Sequence, residues 1–307
     1  MIKLKKFISF FISLIVIFII AFNMNDILDK LKKITNLRPE VVIQPANQFK
    51  INNSFNFVKQ VDDYVPYEYN DLVNIFYSVL NQGWSEFTFY CPIEYEKCLD
   101  DVAKISYDEV LLSDINNYVH PYNSYSTIKT LYDDTGEITI KINHLYSDDE
   151  IKKIDSDIDT IIKNNITDNM NDNDKIKVIH DYIINNTQYD TKRANNLESP
   201  YDSSRILGLL YDKYSICSGY TDTMSVILTK LNIPNFKIAS ETHIWNAVFI
   251  DGSWKHLDLT WDDPVTASGK QILDHSYFLI NNDELSKLDV NINEHAFDKN
   301  VYLEFNS

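Results

Sequence analysis

Apolar positions recur along this chain with two different periods, and the places where the period changes mark its elements. Leu72, Val73, Phe76, Val79 and Leu80 share one helical face, and a strand is predicted over residues 87–90. Tyr95, Cys98, Leu99 and Val102 make the apolar face of a short second helix. After the turn residues Asp133-Asp134-Thr135-Gly136, the alternation of Ile138, Ile140 and Ile142 predicts the second strand of a hairpin. Ser147-Asp148-Asp149-Glu150 reads as a capping box, and Ile151, Ile154, Ile158 and Ile161 continue at helical spacing. Residues 168–174 are acidic but lack the central glycine and the twelfth-position glutamate of a calcium loop, so a solvated connection is expected. Tyr220, Met224, Ile227, Leu228 and Leu231 predict a further helix, closed before Pro234. Asp251-Gly252 between two apolar runs is the strongest hairpin signal in the chain. The tail, residues 276–307, is expected to add a strand through Tyr277–Ile280 and a closing segment. The pattern is α+β: a smaller region of unknown role over residues 57–146, then a second over 147–307.

Upstream, residues 32–56 are polar, contain Pro39 and Pro45 and show no period, which predicts a tether. Residues 1–31 carry a different signal. Lys3, Lys5 and Lys6 precede the apolar run Phe7–Phe22, broken only by Ser9 and Ser13. No cysteine follows the run and no small-x-small cleavage site appears, so we expect an uncleaved signal anchor, single-pass in the cell membrane, with the remainder extracytoplasmic; secretion after cleavage is the alternative. A net charge of -17 argues against nucleic acid as a partner. Three cysteines cannot build a disulfide framework. An exported setting permits a Cys91–Cys98 bridge, although Cys98 fits equally well as a buried thiol, and Cys217 is left over.

Cys217 is followed in the chain by His243 and then Asp258, a thiol, a base and an orienting carboxylate. A cysteine thiol of pKa about 8.5 is only a few per cent thiolate at neutrality and needs an imidazole beside it. Cys217 starts the helix predicted from Ser218, where unpaired N–H groups favour a thiolate and the backbone N–H of Cys217 can face an oxyanion. A two-residue turn at Asp251-Gly252 pairs Ile250 with Ser253, which puts Asp258 opposite Trp245 and diagonal to His243 on the same face. A slip of one residue would separate them. Taken singly, each residue has a plain structural reading: an inert core thiol, a strand histidine, a turn aspartate. The three fall in one helix-then-hairpin unit, which favours a shared role.

The stretch from about Lys175 to Pro264 resembles the transglutaminase-like superfamily, which shares a papain-related fold with several cysteine peptidases. The matching residues are Ile179-His180-Asp181-Tyr182, Gln188-Tyr189-Asp190, Cys217-Ser218-Gly219-Tyr220, His243-x-Trp245-Asn246 and Asp258-x-Thr260-Trp261-Asp262. The resemblance implies a papain-like transglutaminase core, with an N-terminal catalytic helix packed on an antiparallel sheet. It also implies Cys217 as nucleophile, His243 as general base and acid, and Asp258 as the orienting residue. Ser215 departs from the glycine often found there, and Tyr189 and Gln188 are candidates for a second oxyanion donor. No cofactor or metal is implied. The expected function is extracytoplasmic thiol acyl transfer on protein carboxamide or peptide bonds through a thioester, with protein or peptide substrates at the cell surface or wall. A cysteine peptidase with the same triad and a noncatalytic surface scaffold are the alternatives.

Overall fold

The computed structural model describes residues 21–24, 41–265, 272–290 and 293–306. The chain divides into two units at Ile43/Gln44, and the account below is of the second. Most of the expected anchor, the first part of the expected tether and all but two residues of the Phe7–Phe22 run lie outside the described residues. No helix among the described residues is long and apolar enough to cross a membrane.

The first elements follow the helical and alternating patterns closely. Helix α1 spans Tyr69–Asn81, closed at its start by reciprocal bonds between Glu68 and Asp71. Strand β1 is Glu86–Tyr90, α2 is Cys98–Tyr107 and α3 is Glu109–Asn117, with Asp108 capping α3 by accepting from the Leu111 N–H at 2.9 Å. Strands β2 (Tyr125–Tyr132) and β3 (Glu137–His144) form a hairpin, and β1 pairs on the other edge of β3, giving the antiparallel order β1-β3-β2. The alternation predicted for β3 appears as buried Ile138, Ile140 and Ile142. Cys91 and Cys98 form a disulfide, the pairing that the pattern left open.

The second half begins with α4 (Asp148–Asn165), whose Ser147–Glu150 capping box is formed in both directions, and α5 (Asp172–Asn185), capped by Asn171. Two short segments, β4 (Gln188–Tyr189) and the helical turn α6 (Thr191–Ala194), lead to β5 (Tyr214–Ser215), which pairs in parallel with β4. Helix α7 (Cys217–Lys230) follows, then β6 (Asn235–Ala239), β7 (Ile244–Ile250) and β8 (Ser253–Leu257) as an antiparallel sheet of order β6-β7-β8. Helix α8 (Asn282–Leu288) lies in the tail. Asp251 and Gly252 both have positive φ, 51° and 77°, the twist that joins right-twisted strands in two residues. The register that results pairs Ile250 with Ser253 and Asn246 with Leu257, as the turn required.

Helix α7 is buried on nearly all sides because it fills the space between the β6-β7-β8 sheet and the helices α4 and α5. Met224, Ile227 and Leu228 share one apolar core with Ile154, Ile158, Ile179, Ile183, Val248 and Leu257. Burying each such side chain contributes roughly 1.5–3 kcal/mol before chain entropy is counted. The tail corrects one expectation. Residues 277–280 form no strand; Ile280 makes a single bridge to His256, and Leu279 sits at a φ of 53°. The cause is local: Asn281 caps the N–H of Glu284, whose carboxylate accepts from the Asn281 N–H, so a helix starts where a strand would have continued. The tail still closes the molecule. Asn117 donates to the Tyr302 hydroxyl at 2.9 Å and Tyr118 donates to the Val301 carbonyl at 2.8 Å, across 185 and 183 residues.

Candidate active site

Cys217 is held at the start of α7 by bonds that leave little freedom to the preceding backbone. The Ile216 N–H donates to the Ser203 carbonyl at 2.9 Å, and the Ser218 hydroxyl donates to the Ser204 carbonyl at 2.9 Å. On the other side the Asp190 N–H donates to the Ser215 carbonyl at 2.9 Å, extending the β4–β5 pairing. The Asp190 carboxylate, buried, takes the hydroxyls of Ser199 and Ser203 and so ties down the 199–203 loop beneath Cys217. Gly219 is required by close approach, because a Cβ there would stand 2.7 Å from the Ser203 carbonyl oxygen. As the first helical residue, Cys217 has an N–H with no intrahelical partner, at the positive end of the helix dipole. Its side chain is partly exposed.

His243 reaches Cys217 from the strand side. Asn246 Nδ2 donates to the Thr221 carbonyl at 3.0 Å and to the Ser225 hydroxyl at 2.9 Å, while the Thr221 hydroxyl donates to the Ile244 carbonyl at 3.0 Å. These bonds lock β7 against α7 one turn above the cysteine. The imidazole is 7% exposed, and its Nε2 lies 2.5 Å from Asp258 Oδ2. The Cys217 side chain is the other group that acts on the ring from close range. Burial alone would push His243 down, but the Asp258 charge and hydrogen bond, helped by Cys217, carry it up to about 10. For Asp258, burial raises the carboxyl, and the two imidazoles facing it overcome this and hold it well below the usual carboxylate range. The structure therefore brings Cys217, His243 and Asp258 together in that order.

Asp258 makes more contacts than the sequence suggested. Its Oδ1 accepts the N–H groups of Thr260 and Trp261 at 2.9 and 3.2 Å. Its Oδ2 faces a second imidazole, His295 Nε2, at 2.9 Å, and His295 Nδ1 faces Asp289 Oδ1 at 3.1 Å. Two imidazoles and a carboxylate are a ligand set that zinc uses. Here, however, both nitrogens stand 2.5 and 2.9 Å from one shared oxygen, hydrogen-bond spacing, whereas donors around a zinc ion at about 2.0–2.2 Å lie more than roughly 3 Å apart. A second group, His180, Asp181 and His275, has the Lys177 ammonium 2.7 Å from His275 Nε2 and 2.9 Å from Asp181, which puts a cation there already.

No protein-family model matches the chain, and no curated protein matches it in sequence. Solved structures give shallow likenesses. One is described as a TGase: the TM-score is 0.34 at 14% identity, over 57% of this chain and 64% of that one. Another is a candidate cysteine protease from Cytophaga hutchinsonii, with a TM-score of 0.29 at 14% identity, over 50% of this chain and 69% of that one. The chain thus spans under two thirds of the TGase. Overlaps this slight carry no argument, and the chemistry below rests on the side chains themselves.

Of the two oxyanion candidates, Gln188 is exposed and Tyr189 is half-buried. Burial and then the nearby Cys217 charge push Tyr189 up to about 12, so its hydroxyl stays a donor within electrostatic reach of the sulfur. Sequence reasoning missed His295 and Asp289 altogether. Their only signal was a histidine in the polar stretch Glu294-His295-Ala296, with nothing periodic around it.

Proposed function

We propose that this chain is a transglutaminase-like thiol acyltransferase with a papain-like arrangement of catalytic helix and sheet. It acts on protein carboxamide or peptide bonds through Cys217, His243 and Asp258. The observation that carries this reading is a partly exposed thiol at a helix N-terminus, beside an imidazole whose Nε2 is held by a buried carboxylate. In the first half-reaction the Cys217 thiolate bonds to the carbonyl carbon, and the Cys217 N–H faces the oxyanion. The carbon–nitrogen bond then breaks, His243 gives its proton to the leaving nitrogen, and a thioester remains. In the second, an amine or water attacks the thioester carbonyl, His243 takes the incoming proton, and Cys217 leaves as thiolate. Asp258 stays ionised throughout and holds the ring in place.

The setting belongs to the same proposal. Lys3, Lys5 and Lys6 before the apolar Phe7–Phe22 run support an anchored chain whose acyl-transfer region lies outside the membrane. The Cys91–Cys98 disulfide supports an oxidising compartment, where such bonds persist. Protein or peptide groups at the cell surface or wall are then the substrates within reach.

The test uses the full-length chain and Cys217→Ala with a glutamine-containing protein and a labelled primary amine, under mild reduction, with mass spectrometry of the products. Label incorporated only by the unaltered chain is the expected result. Cleavage without incorporation would convert the reading to a peptidase, and no Cys217-dependent product over a broad substrate panel would sink it in favour of a binding role. Protease shaving of intact cells tests the setting; a chain fully protected until lysis would overturn it.

A further inference from the structure

His295 stands behind the three residues of the proposed reaction and is bound to them. It is 3% exposed, with Nε2 2.9 Å from Asp258 Oδ2 and Nδ1 3.1 Å from Asp289 Oδ1. A carboxylate only accepts, whereas a neutral imidazole has one N–H and one lone pair. Both contacts are satisfied together only when the ring carries two protons and a positive charge. His256 shows the contrast. Its Nδ1 accepts from the Trp245 indole N–H at 3.0 Å while Nε2 faces the Asn282 amide oxygen at 2.8 Å, so it is satisfied as a neutral ring.

We propose that His295 is a positioning residue whose charged ring, clamped between Asp289 and Asp258, sets how readily His243 releases its proton. This rests on the thiol reading of Cys217. Asp258 Oδ2 is shared between two imidazoles. With His243 as its only partner, the whole carboxylate charge would hold the His243 proton, and an acid held that firmly protonates a leaving nitrogen slowly. A second cationic donor on the same oxygen withdraws part of that charge. It also stops Asp258 turning, since Oδ1 is already fixed by the N–H groups of Thr260 and Trp261. Asp289 holds the other nitrogen of the buried His295 ring. The result is a row in which carboxyl and imidazole groups alternate, Asp289, His295, Asp258 and His243, ending at Cys217.

Every element packed on His295 leaves this arrangement intact. Tyr277 stacks on the ring at 5.1 Å, and burial with the Asp258 and Asp289 charges holds its hydroxyl protonated, up to about 12. His243 approaches edge-on at 5.2 Å, and Trp245 and Trp261 close the remaining sides without charge. His256 is within electrostatic range, and burial holds it down at about 4, neutral at physiological pH. On the outer side Asp289 and His295 line a cavity of about 450 Å³ together with Asn282, Phe297 and Lys299.

The test follows iodoacetamide alkylation of Cys217 in the full-length chain from pH 4 to 11, for the unaltered protein, His295→Gln and Asp289→Asn, with near-UV circular dichroism at each pH. A thiol paired with an imidazole alkylates in two steps, the lower as the pair forms and the upper as the imidazole loses its proton. Loss of the His295 charge is expected to move the upper step up by about one pH unit. Asp289→Asn, which keeps both rings, is expected to move it in the same direction by less. An upper step that stays in place or moves down in both folded variants would overturn the inference, even if both are slower, because a mere strut changes amplitude and not the pH of the step. Alkylation needs no substrate, so the outcomes separate: a single-step profile in the unaltered protein sinks the thiol–imidazole reading itself, and an unmoved two-step profile sinks only the role of His295.

Discussion

Two buried histidines among the described residues are each held by aspartate, yet only one of the two adjoins a thiol. His180, fully buried on α5, has Nδ1 2.9 Å from Asp181 and Nε2 3.1 Å from Asp262. His243 has Nε2 on Asp258 and Cys217 as its other close neighbour. An imidazole whose two nitrogens both face carboxylates, as in His180 and His295, has neither left to take or give a proton in a reaction and can act only through position and charge. An imidazole beside one carboxylate and one thiol has the pairing that thiol chemistry needs. Asp262, four residues after Asp258, shows how His180 serves His243: its Oδ1 accepts the Tyr277 N–H at 2.9 Å while Oδ2 meets His180, so it fixes the loop that carries Asp258 to α5 and to the tail.

The sharpest way to break that contrast is to remove the thiol. Cys217→Ala is expected to lower turnover by roughly 10⁴-fold or more, as losing one member of a cooperating nucleophile–base pair does. It should change the urea midpoint little, because the side chain is partly exposed. Turnover within tenfold of the unaltered chain would show that Cys217 is not the nucleophile. The next largest effect comes from a matched pair of substitutions. Asp258→Asn is expected to cost about 10²–10⁴-fold in kcat, because the amide no longer holds an imidazolium or its orientation. Asp262→Asn should leave kcat of the folded protein within about tenfold while lowering stability by roughly 1–3 kcal/mol, since it disturbs one of the two contacts of a fully buried histidine. If the two variants fall alike in both measurements, the roles of His180 and His243 are not separate.

Much of this contrast was legible in the sequence, and what was not has a physical cause. The β7–β8 register followed from Asp251-Gly252 alone, because a two-residue turn with two positive φ angles permits one pairing, and that pairing put Asp258 beside His243. The helix from Cys217 followed from the spacing of Met224, Ile227 and Leu228. These are contacts between neighbours in sequence, set by local periodicity. His295 meets Asp258 across 37 residues, and its place depends on how the tail folds. The tail was misread as a strand because Tyr277–Ile280 is apolar, while the deciding residue, Asn281, acts by capping. His180 appeared in the sequence only as part of a helix; its double wiring needs Asp262, 82 residues on.

The comparison sharpens with pH. His243 stands at 6.5 when unfolded and is raised to about 10 in the folded chain, so its contribution to stability is complete below about pH 6.5 and is lost as pH climbs toward 10. Asp258 is depressed, so its contribution is complete above about pH 4 and is lost only in stronger acid. The pair therefore stabilises most between about pH 4 and 6.5, and unfolding free energy should decline above that by up to about 1.4 kcal/mol per unit. Chemical denaturation at pH 6 and pH 9 checks this. The decline should flatten in Asp258→Asn and persist in Asp262→Asn; a decline of equal slope in Asp258→Asn would mean that His243 is not the group responsible.

The smallest effect belongs to the region away from both histidines, and it tests whether that region is coupled to the thiol at all. The Cys91–Cys98 bridge closes a short loop between β1 and α2, with the Cα atoms 5.7 Å apart. Restricting a loop of that size in the unfolded chain is worth about 2.5 kcal/mol in the loop-entropy account. Replacing both cysteines by serine should lower stability by about that amount and leave the iodoacetamide rate of Cys217 unchanged, because the bridge ties only the end of β1 to the start of α2. The two regions meet directly, where Tyr118 stacks on Phe236 at 4.8 Å and the Tyr146 hydroxyl donates to Asp222, and again through the tail, where Asn117 and Tyr118 bond to Tyr302 and Val301. His295 lies six residues before Val301 on that same path. A changed alkylation rate in the double serine variant would show that the first region is coupled to the thiol, and the same measurement in Tyr302→Phe would tell the tail route from the direct Tyr118–Phe236 contact.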